Sequence, residues 1–419
     1  ALALIHTDRD APVGAEVIGF DRDHTIVMPV GALNGIRRGD RVAVEQFSQM
    51  VRVGDSLLGR VLDGLGKPID GGAPLLDTVM RPLNPPAIDP MRRPAIDQPL
   101  ATGVRVVDAM TTLGRGQRIG VFAPPGVGKS TLLGMMARHT EADVSVIALV
   151  GERGREVRDF IANNLGERGI ERSVVVCATS DEPPLKRIRA ALLATTAAEY
   201  FRDQGKDVLL VMDSITRFCQ AQRQVGLAAG EPPATKGYPP SVFAMLPPLI
   251  ERSGRTERGS ITGLYAVLTE GDETMDPIAE AARGVLDGHI GLSPELAHEG
   301  HYPAVDVLRS ISRLADDVVT PEHSEGRRTV VRLVNAYRQV EDLLNIGAYA
   351  PGSNADYYLA IAVKPMLDQL LQQGRNEVRG RASFDTIRSQ LGALQQQVEK
   401  TRAELTQTNK QRRSQGQRG

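Results

Sequence analysis

Short apolar runs broken by turn residues open this chain, and longer apolar runs alternating with amphipathic stretches fill its middle. The first seventy-odd residues hold Val/Ile-rich runs at 15–20, 25–28, 41–44 and 58–62, separated by Gly-Asp, Asp-Gly and Pro-Val pairs. Such spacing predicts a small β domain over residues 1–75, read as a barrel. The stretch 77–99 carries Pro82, Pro85, Pro86, Pro90, Pro94 and Pro99. Each proline fixes its own φ and turns the residue before it away from helix, so 76–100 is expected to be an extended linker. Runs at 118–122, 144–150, 174–178 and 208–212 are apolar throughout, with helical patterns after Gly154 and over 184–202 between them. Strands alternating with helices predict a parallel sheet covered on both faces, with its ligand at the strands' C-terminal ends, over 101–325. From about Glu325 the pattern is helical, at 330–346 and 357–373, giving a C-terminal helical domain over 326–382.

The tail, 383–419, has a stripe of its own. Phe384, Leu391, Val398 and Leu405 recur every seven residues with Ile387 and Leu394 between them, and this second row fails at Thr401 and Thr408. Two complete heptads are too few for a free-standing coiled coil. The stripe predicts a short helix packed on its own C-terminal domain, then a disordered basic end from Lys410. The competing expectation is that it docks a helical partner.

Charge changes the picture little: 50 Lys and Arg stand against 51 Asp and Glu, so no global field steers the chain to nucleic acid or an anionic membrane. Cys177 and Cys219 lie in apolar runs without a C-x-x-C partner, which suits free thiols in a reducing compartment. No apolar run reaches bilayer length and no basic-then-apolar export signal opens the chain, so a cytoplasmic location is expected.

Chemistry concentrates at residues 123–131, APPGVGKST, directly after the strand RIGVF. A Gly-rich turn closing on Lys129 and Ser130 and opening a helix holds a triphosphate. The loop residues Pro125, Gly126, Val127, Gly128 and Thr131 form the candidate cradle, its donors being the backbone N–H groups of the non-proline positions, with Lys129 as counter-charge and Ser130 as a Mg²⁺ ligand. Ala123 replaces the usual first glycine, so the chain leaves the strand there without a left-handed residue. A dinucleotide fingerprint fails because Thr131 stands where Gly or Ala is needed. Asp213, where the run 208–212 emerges, is placed to organise the Mg²⁺ waters. Glu152, at the end of the run 144–150, is placed to polarise an attacking water, or on spacing alone equally to cap the next helix. His298 and His301 lack a third ligand at helical spacing, and Glu270, Asp272, Glu273 and Asp276 lack the Gly and terminal Glu of a Ca²⁺ loop. Tyr302-Pro303 suits stacking on a base or packing a turn.

Six segments together resemble the rotary-ATPase family: GVGKST, GERGREVRDF from Gly151, DVLLVMDSITRF, GEPPATKGYPPSVFAMLPPLIERSG from Gly230, the long run from Gly259, and HYPAVDVLRSISR from His301. They are similar to the ATPases of type III protein export, the match running from about Val13 to Val378, and ATKGYPPS resembles the flagellar branch more than the injectisome branch. The resemblance implies a RecA-like P-loop domain flanked by an N-terminal β-barrel and a C-terminal helical domain. It implies that Glu152 activates the water with Arg153 beside it at the γ-phosphate, that Tyr302 lies against the adenine, and that Arg313 is an arginine finger reaching the neighbouring subunit's phosphates. An ATP- and Mg²⁺-dependent homohexamer follows. Implied partners are a central stalk protein, a peripheral stalk regulator, a membrane export gate, and export substrates with their chaperones; contact with a membrane is through partners. Two other classes share the core. An RNA translocase would need aromatic residues on the β domain, where residues 1–75 hold only Phe20 and Phe47 and no Tyr or Trp. A non-catalytic ring subunit is disfavoured by Glu152.

Overall fold

Four strands built almost wholly from buried side chains decide the architecture. At 144–152, 173–179, 207–213 and 260–268 nearly every position is buried and most are apolar, so both sheet faces need cover and helices must supply it. The structure, a computed structural model, describes residues 1–7, 11–31, 35–46, 49–269, 276–350, 354–377 and 384–416.

The chain opens with β1 (Leu2–His6), β2 (Val13–Asp21), β3 (His24–Pro29), β4 (Arg41–Gln46), β5 (Met50–Val53), β6 (Arg60–Asp63), β7 (Val79–Pro82) and β8 (Pro99–Leu100). Next come α1 (Arg105–Met110), β9 (Leu113–Gly114), β10 (Arg118–Ala123), α2 (Lys129–His139), β11 (Val144–Glu152), α3 (Gly154–Asp159) and, after a π-helical turn, α4 (Gly166–Glu171). The middle continues through β12 (Ser173–Thr179), α5 (Pro184–Asp203), β13 (Asp207–Asp213), α6 (Ile215–Ala228), α7 (Pro240–Glu251), β14 (Gly254–Arg255) and β15 (Ser260–Leu268). Then follow α8 (Pro277–Val285), β16 (Gly288–Gly291), α9 (Pro294–His298), β17 (Ile311–Ser312), α10 (Ala315–Val318), α11 (Pro321–Asn345), α12 (Ala355–Leu371) and α13 (Phe384–Gly416).

The central sheet has the order β17-β16-β10-β15-β13-β11-β12-β6, with β14 beside β15. Its pairs are parallel except those of β17 and β14. Alternate residues of one strand enter different cores, as the period of two requires. Ile147 and Leu149 pack with α1, α2 and the C-terminal helices, whereas Val146 and Ala148 pack with α5, α6 and α7.

Where a barrel was expected, the described residues show a four-stranded antiparallel sheet, β3-β2-β1-β4. Two strands of that region go elsewhere. β5 pairs with β7 from the proline-rich stretch, and β6 joins the central sheet parallel to β12, Val61 opposite Val175. Val61 and Leu62 are buried in the two different cores, so β6 is a two-sided strand, which a four-residue run cannot disclose. The proline-rich stretch lies along the sheet domain: Arg93 donates to the carbonyls of Ser253 (3.1 Å) and Glu251 (2.6 Å).

The tail stripe faces its own molecule. Ile387, Leu391, Leu394 and Val398 are buried in the same core as Leu333, Leu367 and residues of α2. The helix continues to Gly416, so the segment from Lys410, expected to be disordered, is helical to that residue. Asp276 caps α8 by accepting from the N–H groups of Ile278 and Ala279. Glu270, Asp272 and Glu273 lie outside the described residues.

Candidate active site

The P-loop strand β10 ends at Ala123, and the left-handed residues come later, at Gly126 (φ 85°) and Gly128 (φ 92°). That matches the expectation for Ala123, which stays extended in the strand. Val127 is buried and pins the loop to the core, leaving Pro125, Gly126 and Ser130 exposed, with Gly128 as the residue before α2. The start of α2 thus presents free N–H groups and the positive end of its dipole to a cleft of about 700 Å³ that Thr131, Glu152 and Arg217 also line.

Two strand ends carry the acids. Asp213 closes β13 with its side chain 2% exposed, in an ion pair with Lys129. Glu152 closes β11, its carboxylate 3.9 Å from the Lys129 ammonium. Gly151 aims it: φ is 72° there, the β11–β12 register shifts between Val150 and Glu152, and an added Cβ would lie 2.8 Å from Cβ of Arg217. Burial, then the neighbouring Asp213, push the Glu152 carboxyl up to about 7 against the pull of Lys129. Lys129, Glu152 and Asp213, 84 positions apart at most in the chain, therefore meet in one place.

Arg153 turns outward, its side chain 81% exposed and 3.2 Å from Glu156. Tyr302 stands at the other side of the loop: an added Cβ on Gly128 would touch its ring at 3.7 Å, and its hydroxyl donates to the Ala297 carbonyl at 3.2 Å. Arg313 is not part of this cluster. It follows β17, and its N–H donates to the carbonyl of Asp287 at 3.0 Å, beside the start of β16. The Asp287 carboxylate holds Arg118 at the start of β10. The P-loop leaves the opposite end of that six-residue strand, about 17 Å away along the strand, so Arg313 cannot serve the site of its own chain.

One lining residue escaped the sequence reading. Arg217 sits in the first turn of α6, where Ser214 caps its N–H at 3.3 Å. Its Nη1 donates to Gln220, while its buried Nε has no partner among the described residues. The available signal was the spacing in DSITRF, which puts an arginine one turn past the acidic strand end.

The model of the ATP synthase alpha/beta family nucleotide-binding domain matches residues 103–312, and that of the T3SS EscN ATPase C-terminal domain matches residues 319–393. The chain belongs to this family of ATPases. It is 53% identical over 367 residues to the flagellum-specific ATP synthase of Pseudomonas aeruginosa, covering 87% of this chain and 81% of that protein. Against the type 3 secretion system ATPase of Xanthomonas euvesicatoria it is 56% identical over 342 residues, 81% and 77% of the two chains. The assembled ATPase EscN of enteropathogenic E. coli, solved with its central stalk EscO, superposes with a TM-score of 0.84 at 41% identity, covering 94% of this chain and 100% of that one. The family thus extends past Val378 into α13. This export ATPase uses ATP to drive type III protein export. No helix among its described residues is long and apolar enough to cross a membrane.

Proposed function

We propose that this export ATPase works as a homohexameric ring in which each site is completed by the next chain, hydrolysing Mg²⁺–ATP to energise the flagellar branch of type III export. The observation that carries the reading is the split of the site: Lys129, Glu152 and Asp213 converge at the P-loop, while Arg313 stands at the far end of its own sheet. Lys129 balances charge on the γ-phosphoryl group, and Glu152 orients the attacking water in line. Arg153, in an exposed pair with Glu156, turns to the γ-phosphate, and the Nε of Arg217, without a partner among the described residues, suits an anion in the same cleft. Ser130 and Asp213 are oxygen donors of the kind Mg²⁺ takes, and the metal bound there would supply charge neutralisation for the phosphates. Tyr302 packs on the adenine. Arg313 of the neighbouring chain stabilises the transition state, a contribution worth on the order of 10³-fold in rate.

The flagellar assignment draws on ATKGYPPS and on the flagellar relatives. A central stalk in the ring's axis is supported by the EscN–EscO complex. A peripheral stalk regulator, a membrane export gate and chaperoned substrates complete the partners of this cytoplasmic ring, with the membrane reached only through them.

Turnover measured against protein concentration tests the ring, with specific activity expected to rise as chains assemble. Lys129→Ala should weaken nucleotide binding, whereas Glu152→Gln should keep nucleotide bound and stop turnover. Mixing inactive Arg313→Ala chains with inactive Glu152→Gln chains should restore activity, since one interface in the mixture joins an intact Glu152 to an intact Arg313. Mixed rings that stay silent, or Glu152→Gln turning over at the wild-type rate, would refute the assignment.

A further inference from the structure

The segment that leaves α12 ties separate parts of the nucleotide site together. Gln373 is 7% exposed. Its Nε2 donates to the Gly103 carbonyl at 3.0 Å, and its Oε1 accepts from the Arg105 N–H at 2.7 Å. Its own backbone N–H donates to the Tyr302 carbonyl at 2.9 Å. Gln372 adds a bond from Nε2 to Nδ1 of His301 at 3.2 Å. Buried Arg105 returns the grip, donating to the Gln369 carbonyl and pairing with Glu377.

The two ends of this clamp rest on the two ends of the P-loop helix. Gly103 packs on His139, the last residue of α2, so closely that an added Cβ would lie 2.4 Å from the histidine Cβ. Tyr302 lies against Gly128, the residue before α2. Removing the Gln373 amide strips a buried N–H and a part-buried C=O of their partners, and the 372–374 segment must shift to satisfy them. The Tyr302 backbone is bonded to that segment and moves with it. The P-loop and Lys129 have no bond to it among the described hydrogen bonds.

We infer that Gln373 is a positioning residue that sets the Tyr302 ring over the P-loop, so that the segment leaving α12 governs affinity for the base while leaving the phosphate contacts alone. The inference rests on Tyr302 being the wall of the base pocket. Affinities for Mg²⁺–ATP and for Mg²⁺–tripolyphosphate, which has no base, test it in wild type, Gln373→Ala, Gln373→Met and Tyr302→Ala. Met fills the buried volume without the hydrogen bonds and carries the test if the alanine variant does not fold. Both Gln373 variants should weaken ATP binding on the order of tenfold and raise KM at nearly constant kcat, with tripolyphosphate affinity held within about twofold. Tyr302→Ala should lose the same preference for ATP. ATP and tripolyphosphate affinities falling together with thermal stability would show a merely structural residue and overturn the inference. A preference retained in both Gln373 variants but lost in Tyr302→Ala overturns the positioning role alone, and one retained in Tyr302→Ala removes the base-wall reading beneath it.

Discussion

Glu152 shows how one position can be chemically plain in sequence and unusual in place. A glutamate after an apolar strand titrates near 4.5 when solvated; here burial beside Asp213 raises it to about 7. The folded chain holds that proton more tightly than the unfolded one. Stability linked to this group is therefore fully present below about 4.5 and is lost as pH rises through about 7. Asp108, fully buried and bonded to Thr102 and Gly103, is also pushed up to about 7 and adds a loss of the same sign. Comparing variants isolates Glu152: in nucleotide-free protein, urea midpoints of Glu152→Gln should gain on wild type steadily between pH 4.5 and pH 7. A gap between the two that stays flat across this window would mean the carboxyl is not perturbed. The P-loop was legible because its function is local, a turn that must place N–H groups and a lysine within nine residues. Arg217 was not, because only the fold brings the first turn of α6 against Gly151.

Among the elements, β15, interrupted by Ser260, Thr262 and Gly263, was not read as a strand although it is buried on both faces, whereas β10, β11, β12 and β13 were plain from their apolar runs. Their edges run a little beyond the apolar core, β11 ending on Glu152 and β13 starting on Asp207, where polar ends reach the sheet rims. The tail helix was readable as a stripe but not as to its partner, because a heptad spacing is the same whether the facing surface is foreign or its own. Here the facing surface is its own: Leu391 is 1% exposed between α11 and α12 neighbours. Leu391→Ala should cost about 2–5 kcal/mol of unfolding free energy in denaturant melts. Leu405→Ala, at a half-buried position on the otherwise exposed stretch past Thr401, should stay within about 0.5 kcal/mol. Equal, small losses at both positions would return the stripe to the role of a docking surface.

At the scale of the whole molecule, the organisation by sequence position and the organisation by packing differ. The C-terminal helices share a core with α2, and the strand that flanks β12 comes from a stretch read as part of the first domain. Short alternating runs in the first seventy-odd residues gave no hint of this, since pairing across more than a hundred positions leaves no trace in local periodicity. One practical outcome concerns β6. It shields the Val174–Cys177 ladder with Arg60–Asp63, and beyond it Arg60 is fixed by Asp70 at 2.8 Å. A truncated protein beginning at residue 101 would keep every proposed nucleotide ligand named above yet leave a valine-rich border with unpaired amides open to solvent. Light scattering should then reveal concentration-dependent self-association through strand edges in that fragment, and a fragment beginning at Asp55 should be free of it. On this prediction amyloid-type stickiness is held in check by four residues that touch no proposed nucleotide ligand, two strands over from the one that carries Glu152, and any attempt to shrink this ATPase must carry them along.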